Sequence, residues 1–218
     1  MNPNDECLIK LQAKQEHLMD AYISLREKYE IIKPAFFNKD VSLNWGKGKA
    51  RRGFDVVRYT IANDVIKDIC NISFDTSDKN SISIQSISNK LKNPDILNHA
   101  RSCSIQDKGE FHQRQLGSSW ELFSETWESY QCKSWNTAIK NIRDKLVAHL
   151  ELQRDKNTNA YTRLNLEEEG LKWSDLEEAI QMIEKMVVSL HLIITGKGFS
   201  VDSLETLEDD AKAFWKVN

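Results

Sequence analysis

Two side chains in the segment Asn141-Ile-Arg-Asp-Lys-Leu-Val-Ala-His149 are of types suited to chemistry on an anion. Arg143 carries a planar fork of donors that stays charged at any working pH and grips anionic oxygens. His149 belongs to the residue type whose ordinary pKa lies nearest neutrality, so it can take up or release a proton there. On a straight helix the two point about 120° apart and lie about 9 Å apart along the axis, so they form no close pair within one chain. Two copies of the helix meeting across a two-fold axis would bring both to one cleft. The competing reading is structural: His149 is in phase with the apolar seam Ile139, Ile142 and Leu146, near a helix end where the dipole favours a cation.

Other chemistries lack their signatures. The chain has no HExxH, no GxSxG and no Walker-type phosphate loop. The triplets Gly46-Lys47-Gly48 and Gly196-Lys197-Gly198 are too short for one and fit a loop and a helix stop. Cys7, Cys70, Cys103 and Cys132 are far apart, with no CxxC pair, and suit free thiols in a reducing compartment. His99 and Cys103 share a helix face at four-residue spacing, with nothing nearby in sequence to complete a metal site. The net charge of −3 offers nucleic acid no broad attraction, so any such contact needs a local patch. Lys47, Lys49, Arg51 and Arg52, beside Phe37, Trp45 and Phe54, form the candidate patch for single-stranded RNA; a solvated loop leading into a helix has the same composition. His17 and His191, within helices among apolar neighbours, fit structural roles, and the tryptophans fit seam packing.

The elements that must position Arg143 and His149 are helices. Only three prolines and eight glycines interrupt the 218 residues. The first helix is expected over Asp5–Ile32, stopped by Pro34, with Leu18, Tyr22, Leu25, Tyr29 and Ile32 as its seam. After a loop a second spans Phe54–Phe74, with Phe54, Val57, Ile61, Val65, Ile69 and Ile72 on one face. Short helices follow at Ile84–Leu91, capped from the polar loop before it, and at Asp95–Ser104. A long helical region over Ser118–Leu152 changes phase between Tyr130 and Ile139, which calls for a break near Cys132–Asn136. A polar stretch then leads to a helix with the seam Trp173, Leu176, Ile180, Ile183, Val187, Leu190 and Ile194, started at Ser174-Asp175 and stopped at Gly196. Leu204, Leu207, Ala211 and Phe214 mark an amphipathic tail over Ser203–Val217. The fold class expected is all-α: one domain over 1–218, an antiparallel bundle of four long helices with short accessory helices, residues 200–218 forming one of the latter. No apolar run suits a membrane span and no secretory signal opens the chain, so a cytoplasmic protein is expected.

Arg143-Asp144 followed by His149, with five positions between arginine and histidine, resembles the R-x(4–6)-H motif of the HEPN superfamily. The string RDKLVAH, with the upstream runs Lys79–Ile84 and Ser88–Pro94, is similar to its abortive-infection, AbiU-like branch. The resemblance implies a dimeric helical bundle whose motif residues cut RNA at the dimer interface without metal or other cofactor, in phage defence or a toxin–antitoxin pair. A nucleotidyltransferase is the kind of antitoxin partner implied. Some members carry a tyrosine two positions after the histidine as a modification site; here Glu151 occupies it. Applied to this chain, His149 becomes the general acid or base and Arg143 the phosphate clamp, with Asp144 orienting a neighbour and Lys140 assisting with phosphate. The expected products are a 2′,3′-cyclic phosphate and a 5′-hydroxyl. A non-catalytic interaction module or a nucleotide-binding helical subunit are the alternatives.

Overall fold

The computed structural model describes residues 2–45, 47–75, 80–105, 110–144, 152–154, 161–163, 170–200, 204 and 206–216. It is an all-α bundle built on four long helices: α1 (Pro3–Phe37), α3 (Arg51–Phe74), α6 (Glu110–Cys132) and α8 (Trp173–Thr195). Shorter helices are α2 (Lys39–Trp45), α4 (Ile84–Leu91), α5 (Pro94–Ile105), α7 (Trp135–Ile142) and α9 (Leu207–Trp215). Among the described residues no helix is long and apolar enough to cross a membrane.

Apolar spacing decides which face each helix buries. Leu18, Tyr22, Leu25, Tyr29 and Ile32 of α1 are all buried, and so is the α8 seam apart from the half-buried Trp173. The two helices run antiparallel, since polar contacts step backwards along α8 as α1 advances. Gln15 donates to the Val187 carbonyl, Tyr22 and Arg26 donate to Glu184, and Lys33 donates to Glu177. Arg26 also pairs with Glu30, so each partly buried charge has an opposite neighbour, as burial requires. Lys28 on α1 pairs with Asp68 on α3 at 2.7 Å.

Several boundaries differ from expectation for tertiary reasons. Pro34 lies inside α1 rather than ending it. A proline only biases the preceding residue away from helix, and here packing holds the last turn. Ile32 and Ala35 are buried with Val41, Phe54 and Trp215, and the Trp215 indole donates to the Ile31 carbonyl at 2.5 Å. The expected loop after α1 contains α2 and a 3₁₀ turn over Gly48–Ala50, so α3 begins at Arg51. Val57 is 38% exposed; Ile66, not Val57, fills the α3 face. Ser83 caps α4 by accepting from the Ser86 backbone N–H at 3.0 Å.

The expected break near residues 132–136 is present between α6 and α7. The helix expected to run to Leu152 is in regular α form only to Ile142, and Leu152–Arg154 is a strand. It pairs antiparallel with Tyr161–Arg163, Leu152 opposite Arg163, in the polar stretch that leads to α8. Three-residue strands are shorter than alternation can reveal. At the start of α8 the cap is Lys172, whose N–H donates to Asp175 at 2.8 Å; Gly196 ends the helix with φ +66°. In the tail Trp215 is buried and Phe214 is 56% exposed, so the seam runs 204, 207, 211, 215.

Candidate functional site

The break before α7 sets the direction of Arg143. Lys133 and Trp135, on either side of the break, both donate to Glu178 of α8, at 2.5 and 2.9 Å. These bonds hold the Glu178 carboxyl below its usual range, Lys133 first and Trp135 next. With that end fixed, Ile139 and Ile142 pack into the core, and Arg143 follows beside the seam in a π-type turn shared with Asp144. Such wide turns recur at functional sites.

Arg143, Asp144 and Lys140 line one cavity of about 260 Å³ together with Cys70 and Phe74 of α3 and Gln85 of α4. The Asp144 carboxylate accepts from Arg143 Nε and from one of its terminal nitrogens, at 2.8 and 2.6 Å. This bond pushes the guanidinium pKa up, and the side chains stay 34% and 55% exposed. The Lys140 ammonium lies 3.8 Å from the centroid of the Phe74 ring, a cation–π contact, and makes no ion pair among the described residues. Phe74 is held in turn by Trp127 and Tyr130, each 5.6 Å away between centroids, and Ser73 shares a 2.8 Å hydrogen bond with the Tyr130 hydroxyl. The cavity therefore has two cations and one carboxylate around an aromatic wall, a composition that attracts an anion with an attached ring. His149, Leu146 and Glu151 lie outside the described residues.

Sequence reasoning did not find Cys70, Phe74 or Gln85, because they come from other helices. The available hint was that Cys70 and Phe74 stand four apart on one face near the end of α3. Burial pushes the Cys70 thiol up to about 11, with Arg143 and Lys140 pulling the other way. Cys103 and Cys132 are exposed. Brief alkylation of the native protein should modify Cys103 and Cys132 and spare Cys70 until denaturant is added, as peptide mass spectrometry would read. Prompt labelling of Cys70 would contradict its full burial.

The remaining candidates lie elsewhere. Lys47, Lys49, Arg51 and Arg52 are all exposed. Arg51 and Arg52 occupy the first turn of α3, where the dipole disfavours cations, and Arg51 pairs with Asp55 one turn on at 3.8 Å. From Arg52 to Cys70 is eighteen residues along α3, about 27 Å, so this cluster and the Arg143 cavity are at opposite ends of one helix. Trp45 and Phe54 are occupied in packing on Trp215, which leaves Phe37 as the exposed aromatic of the three. His99 Nε2 sits 2.9 Å from Asp5 and 3.8 Å from the Cys103 sulfur. Among the described residues no group of three or more His, Cys, Asp or Glu could hold a metal ion. His191 is half-buried, edge-on to Phe199, with its pKa lowered by burial, consistent with a structural role. His17 is exposed and does not join the core.

The AbiU2 family model, of HEPN type, matches residues 8–214, nearly the whole chain. No curated protein and no solved structure matches it. The match spans all four long helices and the Arg143 cavity, and on it the chain belongs to the AbiU2 family of abortive-infection-related HEPN proteins.

Proposed function

We propose that the protein is a metal-independent endoribonuclease of abortive infection. The observation that carries this reading is the cavity that Arg143 and Lys140 line together with Phe74, with Asp144 as its one lining carboxylate, bonded to Arg143. A phosphodiester there meets two cations, and an adjoining base meets an aromatic wall. In the reaction the ribose 2′-oxygen bonds to phosphorus and its proton leaves to a base, while the P–O5′ bond breaks and the departing oxygen is protonated. The products are a 2′,3′-cyclic phosphate and a 5′-hydroxyl. Arg143 holds the phosphate oxygens as negative charge builds on them, and Asp144 fixes the plane of its guanidinium. Lys140 adds a second cation. His149 transfers a proton. Two copies joined across a two-fold axis present these groups to one groove, and Lys47, Lys49, Arg51 and Arg52 hold a flanking part of the RNA. The reading places the homodimer in the cytoplasm, restrained by an antitoxin such as a nucleotidyltransferase.

The test is incubation of the purified full chain with end-labelled RNA in EDTA. Cleavage with cyclic-phosphate ends, lost in both Arg143→Ala and His149→Ala, is the expected result. Cleavage that survives both substitutions removes these residues from the mechanism, and activity that appears only with added metal removes metal independence.

A further inference from the structure

Gln85 is half-buried at the wall of the Arg143 cavity, and its side-chain amide makes no hydrogen bond among the described residues. Its neighbours are in the opposite condition. The Ser83 hydroxyl donates to the Asp75 carbonyl at 2.6 Å and accepts from the Ser86 N–H. Ser86 Oγ closes the same turn on Ser83 N–H at 3.2 Å and on the Ser81 carbonyl at 2.8 Å. The Ser83 hydroxyl thus pins the start of α4 to the residue that follows Phe74, and Ser86 closes the turn that carries the backbone of Gln85. The amide itself is left unspent on a rigid support, the arrangement expected of a recognition group.

The other lining side chains cannot tell one base from another. Lys140 and Arg143 only donate and are drawn first to phosphate, the Asp144 carboxylate already accepts from Arg143, and Phe74 presents a face that any ring can meet. Among the six lining residues Gln85 alone carries a donor and an acceptor side by side in one plane. That pair matches a nucleobase edge with adjacent donor and acceptor, as in the bidentate pairing of glutamine with adenine. We propose that Gln85 is a specificity-determining residue that reads one base beside the phosphate held at Arg143. The inference rests on the reading of this cavity as an RNA site.

The experiment measures binding without cleavage. Pentamers of 2′-O-methyl RNA, which lack the attacking hydroxyl, are varied through all four bases at each of the three central positions. Their affinities for the full-length protein and for Gln85→Ala and Gln85→Glu are read by fluorescence anisotropy. At one position the wild-type protein should separate the best base from the worst by about tenfold to a hundredfold, the size of a bidentate base contact. Gln85→Ala should shrink that spread to about twofold by weakening the best base, with its melting temperature unchanged because the amide has no partner among the described residues. Gln85→Glu, which can only accept, should move the preference toward cytosine and adenine, whose exocyclic amines donate. Equal binding of all four bases by the wild-type protein, or a spread that Gln85→Ala leaves intact, overturns the proposal. The two readings fail separately: base discrimination by a protein that cuts no RNA sinks the nuclease and keeps Gln85, whereas cleavage with an unaltered base profile in both variants does the reverse.

Discussion

Arg143→Ala is expected to slow RNA cleavage by about 100- to 1,000-fold, the loss seen when one preorganised electrostatic donor is removed from a reacting oxyanion. The effect should fall on the single-turnover rate more than on RNA affinity, because the charge the arginine meets is largest in the transition state. The substitution also strips Asp144 of its partner and leaves a bare carboxylate beside the phosphate, so the loss should lie toward the upper end. Arg143→Lys should recover only part of it, since an ammonium cannot reproduce the two-point grip of the guanidinium. Stability should barely change. The side chain is a third exposed, and its ion-pair partner is the next residue in the chain, so the change belongs with surface substitutions worth about ±0.5 kcal/mol. Single-turnover cleavage and a thermal melt on the same preparation decide the matter. A variant of undiminished rate, or one whose rate falls only as its fold is lost, would refute the assignment.

Trp215→Ala carries the largest expected effect on stability, about 3–5 kcal/mol for truncating a buried tryptophan. The ring is 3% exposed and meets Trp45, Phe54 and Phe214 edge-on, with centroids 6.0, 5.6 and 4.9 Å away. Its N–H satisfies the Ile31 carbonyl in the turn that Pro34 disturbs, and its own carbonyl accepts from Trp45 at 3.3 Å. One side chain therefore fixes α9, α2 and the end of α1 together. The melting temperature should fall by roughly 10 °C, given a few degrees per kcal/mol at this chain length. Trp215→Phe should restore most of the packing but lose the indole N–H bond to Ile31, and so recover only part of the loss. Because this cluster is remote from Arg143, the single-turnover rate at saturating RNA, measured well below the new midpoint, should stay near the wild-type value. A melt displaced by less than about 2 °C would show that α9 is not part of the folded core.

Local pattern revealed most of the bundle and little of how its parts meet. The strict spacing from Leu176 to Ile194 appears in the structure as a buried stripe, and the phase change after Tyr130 marks a real break. Pro34, Val57 and Phe214 depart from the spacing because each depends on what lies opposite. A proline is tolerated where Trp215 and Phe54 support the turn, and a helix position is buried only where another element covers it. The cavity follows the same rule. Arg143, Asp144 and Lys140 are neighbours along one helix, so spacing could group them. Cys70, Phe74 and Gln85 arrive by tertiary packing, through the Ser73–Tyr130 and Ser83–Asp75 bonds that no periodicity announces.

The placement of the Lys140 ammonium over a phenyl ring has an energetic consequence. A lysine held by a carboxylate must part from that carboxylate before it can serve another anion, and the exchange cancels much of the gain. A ring quadrupole orients the ammonium without neutralising it. Among the described residues, then, an incoming oxyanion at this wall displaces no acidic competitor at Lys140 and meets a full, already aimed positive charge.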